Sequence, residues 1–439
     1  MASVSHNHAN YQGRLAFIQQ LLVDLLGLSD KDLEQPEVTP IQYDPECPFK
    51  YNNFVYRLKV PVPISSDRSG GKGHRLKQPG CVPIPPGTKE FILRLNNPDA
   101  EGMHAATRIE NEVAIISLSS SALRHLEPNV VSRVFGWESA ASSQGWILQE
   151  FMPGVPVDEA FKSMSLVQKR NILAQMAALL KDLQSFPLPE SLTGWGGATF
   201  DASGRIVSAA MTSVGCGPWS SFEDSFRGRL QAALKKADED PHVKGWHENN
   251  VRRRLEAFLE RGLSAHFTSL VSRQDRSIIH ADFTTNNLLF DPDSGRITAL
   301  LDYDFASILH PLYEFLRSFD GVGGQFRGWS GDDESNEDLA LRSAKLYGFP
   351  SPLPAVKDDG IQWDVAKAWE DELEKRDVKR PSNIQGIDKV ADVDAVLRAV
   401  LPWHLTNRDF LQMQPDGAVE FFRNRGEEQL VKLLSHLGF

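Results

Sequence analysis

Between residues 278 and 306, three short apolar runs (Ile278-Ile279, Leu288-Leu289-Phe290 and Ile297 to Leu301) alternate with loops crowded with carboxylates and amides. Runs this short, bounded by polar and turn residues, read as strand, polar loop, strand, turn, strand. Asp291-Pro292-Asp293-Ser294-Gly295 carries the chemistry of a hairpin turn. A hairpin of this kind presents the polar groups of its loops in one place, and here those groups are His280, Asp282, Asn287 and Asp302.

These residue types suit phosphoryl transfer. That reaction needs a carboxylate to orient an acceptor hydroxyl and accept its proton, and hard oxygen ligands for Mg²⁺, which neutralises charge on the β- and γ-phosphates. The spacing His-x-Asp-x-x-x-x-Asn, with an Asp at the end of an apolar strand twenty residues after the first, is the catalytic-loop and metal-binding pattern of kinase-like phosphotransferases. His280-Ala281-Asp282, Asn287 and then Leu301-Asp302-Tyr303-Asp304-Phe305-Ala306 resemble the aminoglycoside phosphotransferase and choline kinase-like family. The resemblance implies a two-lobed protein kinase-like α+β fold, with a β-rich N-lobe and a larger helical C-lobe. It implies ATP and Mg²⁺ as cofactors, Asp282 as the base and Asn287 and Asp302 as metal ligands; His280, counted with the catalytic residues, braces the loop in that family, with a general base as its other reading.

Bulk properties agree. A chain of 439 residues is long enough for two lobes with cores of their own. With 47 basic and 58 acidic residues the formal charge is −11, which argues against nucleic acid and fits a cationic acceptor. Cys47, Cys81 and Cys216 make neither a disulfide framework nor a Cys-x-x-Cys metal pair, so a reducing, cytoplasmic location is expected. No run of about 18 apolar residues occurs, and no membrane partner is expected.

Along the chain, Leu15, Ile18, Leu21, Leu22, Leu25 and Leu26 recur at helical spacing in a segment running from Tyr11 to about Leu33, read as a helix docking on a core. Residues 1–40 are set apart as a helical extension, 41–153 as the N-lobe and 154–439 as the C-lobe. Residues 54–60 alternate as a strand should, and the resemblance puts a phosphate-covering loop before it, with Asn53 at that loop's usual Asn. Residues 49–55 lack the glycines such a loop normally carries. Six prolines and five glycines mark residues 61–87 as an insertion between strands. Lys89 to Leu95 alternates again and places Arg94 where the α/β-phosphate lysine of kinases stands. An arginine grips phosphate bidentately, but its planar fork reaches differently. Its partner should lie on the following helix, where Glu112 has a suitable spacing and Glu110 is a rival. Trp146 to Gly154 is an apolar strand ending in Pro-Gly, which the resemblance makes the hinge that holds adenine through the carbonyl of Glu150 and the amide of Met152.

Beyond the hinge the pattern turns helical, through Ile172 to Leu183, Phe222 to Ala237 and Asn250 to Phe267. Gly194 to Gly217 reads as an irregular hairpin, Gly321 to Asp338 as a loop rich in Gly, Ser and acids, and the remainder as helices. Trp369 or Trp403 beside Asp371 and Glu372 could cage a cation, or belong to the core. Only eleven residues stand between Asp302 and Glu314, too few for the long activation segment that presents a peptide. The function expected is therefore ATP- and Mg-dependent phosphorylation of a small-molecule hydroxyl. The alternatives are an impaired pseudokinase-like nucleotide-binding or regulatory protein, for which the missing glycines, Arg94 and Thr284 speak, and a protein kinase specific for one partner.

Overall fold

Alternation along Glu90–Asn96 puts Phe91, Leu93 and Leu95 on one face of a strand and Ile92, Arg94 and Asn96 on the other. In the computed structural model this strand, β3, is the middle of a five-stranded antiparallel sheet. The structure describes all residues except 1–6, 28–36, 42–43, 45–46, 65–77, 142–143, 330–334 and 356–359. The sheet runs β1 (Glu37–Pro40), β2 (Asn53–Lys59), β3, β5 (Trp146–Glu150), β4 (Val134–Glu138). Phe91, Leu93 and Leu95 pack with Leu58, Trp146 and Leu148 against Ile18, Leu21, Leu22 and Leu26 of α1 (Tyr11–Leu26). Gly27 ends α1 in the left-handed region (φ 60°), its N–H donating to the carbonyl of Val23. Positions 28–33, the centre of the 61–87 insertion and part of the loop after Gly321 lie outside the described residues.

The other face of the sheet meets α2 (Ala105–Ala122), whose Ile109, Val113 and Ile116 join Ile147 in the main core. Each of these side chains, removed from water, contributes about 1.5–3 kcal/mol. The consequence for chemistry is directional: Arg94, on the α2 side of a strand hydrogen-bonded on both edges, can only point at that helix.

After β5 the chain forms β6 (Val155–Pro156), α3 (Val157–Phe161) and α4 (Leu166–Ser185), the last opened by a Ser165/Gln168 capping box. β7 (Gly197–Phe200) and β8 (Ile206–Ala209) form the expected hairpin, which rests on α2. Asn111 ties them together, accepting from the Ala198 N–H (2.8 Å) and donating to the Ala306 carbonyl (2.9 Å). Helices α5 (Phe222–Glu239), α6 (Val251–Ala257) and α7 (Leu263–Phe267) follow, the last two joined by a π-turn.

The central stretch supplies β9 (Ser277–Ile279), β10 (Leu288–Asp291), β11 (Arg296–Leu300) and a further strand, β12 (Ser307–Leu309). β10 pairs with β11 on one side and with β6 on the other, while β12 pairs with β9. The segment after the hinge is thus stitched directly to the hairpin. Next come α8 (Leu312–Arg317), α9 (Asn336–Tyr347), α10 (Trp363–Lys375) and α11 (Ile387–Val400), then the short α12 (Trp403–Thr406) and α13 (Arg408–Gln412), and finally α14 (Ala418–His436). The architecture is the α+β arrangement expected, β-rich at the N-terminal side and helical beyond. Trp369 is buried against Phe319, with ring centroids 5.0 Å apart, and so is closed to any acceptor. Trp403 is half-exposed and packs on Phe49 and Phe410. No helix among the described residues is long and apolar enough to cross a membrane.

Candidate active site

The loop between β9 and β10 holds His280, Asp282 and Asn287, and its shape is imposed from below. Ala281 sits in the left-handed region (φ 64°), a conformation that costs a non-glycine residue about 1–2 kcal/mol. Glu314, fully buried on α8, offsets that cost by accepting from the N–H of His280 (2.7 Å) and of Ala281 (2.9 Å), and from Ser318 Oγ (2.6 Å). His280 Nε2 lies 2.9 Å from the carbonyl of Leu301. A carbonyl can only accept, so Nε2 carries the proton. Burial lowers the imidazole pKa to about 4, so the ring is neutral, and it packs at a tilt on Tyr303, with ring centroids 4.7 Å apart. His280 therefore links the loop to the residue preceding Asp302.

Asp282 is held by Asn287, whose amide donates to its carboxylate (2.8 Å) and to its main-chain carbonyl (2.9 Å). Burial, reinforced by the negative charge of Asp302, raises the Asp282 carboxyl to about 6. The β10–β11 hairpin brings Asn287 beside Asp302, since the Leu301 N–H donates to the Asn287 carbonyl at 2.8 Å. Asp302 itself is in the left-handed region (φ 62°), and its carboxylate is partly accessible, 42% exposed.

Across from this hairpin lie two guanidinium groups. Arg94 donates to Glu112 on α2 (2.5 Å) and to Asp302 (2.8 Å), and lies 3.3 Å from Asp304. The expected Arg94–Glu112 pair is present, and the rival Glu110 takes no part in it. Arg108, one turn before Glu112 on the same face of α2, is bound to both oxygens of Asp304 at 3.1 Å. Asn53, the first residue of β2, donates to Asp304 (2.9 Å) and accepts from Arg108 (3.0 Å), so both ends of its amide are engaged. Glu112, Asp304 and Arg108 are almost fully buried. Counting Asp282, four carboxylates face two guanidiniums, and this surplus of negative charge and hard oxygen suits a divalent cation.

At the hinge, the Glu150 side chain pairs with Arg133, and the Glu150 N–H donates to the Arg133 carbonyl (2.9 Å). Met152 is buried. Three residues of this network lie outside those expected from sequence: Arg108, Asp304 and Glu314. Two of them had a local signal, Asp304 at two residues past Asp302 and Arg108 at helical spacing from Glu112. Glu314 had none, because its role is defined only by where α8 folds back.

Residues 85–352, more than half of the sequence, match the phosphotransferase enzyme family (APH). The chain belongs to this family. A comparison with curated proteins gave no match. Solved structures similar to this phosphotransferase include a Ralstonia eutropha JMP134 protein described as an aminoglycoside phosphotransferase, 13% identical over 96% of this chain and 97% of that one, TM-score 0.48. Aminoglycoside phosphotransferase APH(4)-Ia, in a ternary complex with AMP-PNP and hygromycin B, is 13% identical over 95% and 98% of the two chains, TM-score 0.45. APH(2″)-IIa in a streptomycin–ATP ternary complex is 13% identical over 96% and 95%, TM-score 0.46.

Proposed function

We propose that this phosphotransferase moves the γ-phosphoryl group of ATP to a hydroxyl of a small molecule. The observation that carries the reading is Asp282, a carboxylate fixed by Asn287 on a loop propped by Glu314, facing the accessible carboxylate of Asp302. In the proposed reaction the acceptor oxygen bonds to the γ-phosphorus, and the bond from that phosphorus to the β–γ bridging oxygen breaks. ADP leaves, and the acceptor's proton passes to Asp282. Asn287, through its Oδ1, and Asp302 are the residues that would hold Mg²⁺, which when bound neutralises charge on the β- and γ-phosphates. Arg94 is assigned to the phosphates, with Glu112 positioning it. Asn53 positions Asp304, and the main chain at Glu150 and Met152 is assigned to adenine. The nucleotide then belongs to residues 41–153 and the metal and acceptor to residues 154–439, with residues 1–40 as an extension whose helix docks on the sheet. A small acceptor is favoured because β12 and α8 follow Asp302 at once, leaving no segment to present a peptide. The cysteines are unpaired, which suits a cytoplasmic setting.

The decisive experiment is ATP consumption with Mg²⁺ against a panel of hydroxylated metabolites, with Asp282→Asn as control. The reading fails if the variant turns over like the wild type. One observation favours a second reading, an impaired nucleotide-binding protein: Arg94 is already engaged by three carboxylates, one of them Asp302. That reading requires Mg-ATP to bind without turnover. Binding at a hundred times Kd would add about 2.7 kcal/mol of stability in a thermal shift.

A further inference from the structure

A cavity of about 750 Å³ beside the catalytic loop is lined, among the described residues, by more cations than acids, although the whole chain is acidic. Its wall from Asp320 to Gly323 continues directly from Phe319, whose N–H donates to the carbonyl of Phe283, the residue after Asp282 (3.2 Å). A Cβ on Gly321 would lie 3.2 Å from Thr285 Oγ1, within the same loop. Another wall is Phe161 of α3, a helix that packs on the 285–287 turn.

Five cations line this space: Lys162, Lys169, Arg327, Arg342 and Lys345. The acids among the described lining residues are Asp320 and Asp338, and both are engaged locally. Asp320 accepts from the Gly321 N–H, and Asp338 is bound to Ser335 at the start of α9. Arg342 is paired with Asp392 (2.8 Å), but its Nε is buried without a partner. Lys162, Lys169, Arg327 and Lys345 have no carboxylate partner among the described residues. Lys345 is 6% exposed, and among the described residues its ammonium donates to the carbonyl of Gln325. Burial and the nearby Arg327 lower its pKa to about 7, a cost that an anion in the cavity would offset. On a chain of net charge −11, such a gathering focuses a positive field at one place next to the proposed base.

We propose that this cavity is the acceptor subsite and that the acceptor is anionic: a small hydroxyl compound that also carries a carboxylate or phosphate group. The cations hold that group while the hydroxyl reaches Asp282. The proposal rests on the phosphotransfer reading above and names its substrate class. It also reverses the cationic acceptor expected from net charge, because a local field rather than the total is what a ligand meets.

The test uses the full chain, with Lys162→Glu and Lys169→Glu as charge swaps at accessible positions and Lys345→Met as the buried counterpart. Glycerate, gluconate and glucose 6-phosphate are the anionic probes; glucose, choline and kanamycin are the neutral and cationic ones. Phosphorylation is measured with Mg-ATP, and binding separately by calorimetry with ADP and Mg²⁺. Binding and turnover are expected for anionic probes alone. Each charge swap should raise their KM or Kd at least about tenfold and leave the KM for ATP unchanged. If anionic probes bind, lose affinity in the charge swaps and are not phosphorylated, the anionic subsite stands and the phosphotransfer reading fails. If choline or kanamycin is phosphorylated in preference, with the activity lost in Asp282→Asn, phosphotransfer stands and the anionic acceptor is overturned. Anionic probes that neither bind nor react also overturn it.

Discussion

The two halves of the candidate site are built in different ways. The half proposed to hold base and metal is one continuous stretch, β9 to β12, in which every relevant side chain lies within 25 residues of the next and register is fixed by a tight turn. The half proposed to face phosphate is assembled from Asn53, Arg94, Arg108 and Glu112, brought together by a sheet, a helix and ion pairs to Asp302 and Asp304. A local hairpin can be altered at one residue and keep its shape. A network of buried charges cannot, because each member offsets part of its neighbours' desolvation and its loss leaves buried charge undercompensated.

The largest effect should therefore be chemical and confined to the first half. Asp282→Asn keeps the hydrogen bond to Asn287 in altered form and removes the proposed base. Turnover is expected to fall about 10²–10⁴-fold while the melting temperature stays within a few degrees of wild type. A large loss of stability in this variant would mean that the loop is held together by Asp282 rather than by Glu314.

In the second half the order reverses, and stability should suffer before chemistry does. Arg108→Met leaves Asp304 buried with only Asn53 and a more distant Arg94 as partners. The expected cost is about 3–5 kcal/mol, read as a shift of the denaturant midpoint. A shift under about 1 kcal/mol would show that Arg94 alone can compensate Asp304.

These two halves also explain what could be read without coordinates. Asp282, Asn287 and Asp302 announce themselves because hairpin geometry converts sequence spacing into distance. The Arg94–Glu112 pair was legible for a related reason: strand alternation aims Arg94 at the next helix, and the spacing selects a residue there. Arg108 and Asp304 needed the crossing of α2 over the sheet to meet. Glu314 needed α8 to return beneath the loop, and no local pattern encodes that return. The cationic cavity was hidden for a third reason, since net charge sums over the whole surface and says nothing about where charges of one sign collect.

A pH effect on stability should separate the hairpin's scaffold from its chemistry. His310 accepts the Leu312 N–H at Nδ1 (3.1 Å), so its proton is on Nε2, facing Ser272, and the neutral ring caps α8. Burial holds its pKa down to about 4, against 6.5 in the unfolded chain. The unfolded state thus binds more protons between those values. The contribution is complete above about pH 6.5 and is lost as pH falls toward 4, a total of about 3 kcal/mol. His280 follows the same sign. His310→Asn should flatten the slope of stability between pH 6.5 and 4 relative to wild type; an unchanged slope would assign the acid sensitivity elsewhere.

The smallest predicted change bears most directly on whether the two halves cooperate or compete. Arg94 holds Glu112 with one nitrogen and Asp302 with the other, so the residue expected to grip phosphate also ties down a proposed metal ligand. Lysine at this position keeps the charge but cannot span both carboxylates with a planar fork. Arg94→Lys should cost about 1.5–3 kcal/mol, the value of one charge-assisted hydrogen bond. If the ion pair restrains Asp302, the freed carboxylate should leave Mg-ATP affinity equal or tighter despite the lower stability. Should Arg94 instead bind phosphate through its fork, affinity will fall together with stability. Measuring both on the same variant separates a network that holds the metal half in reserve from one that already serves the nucleotide.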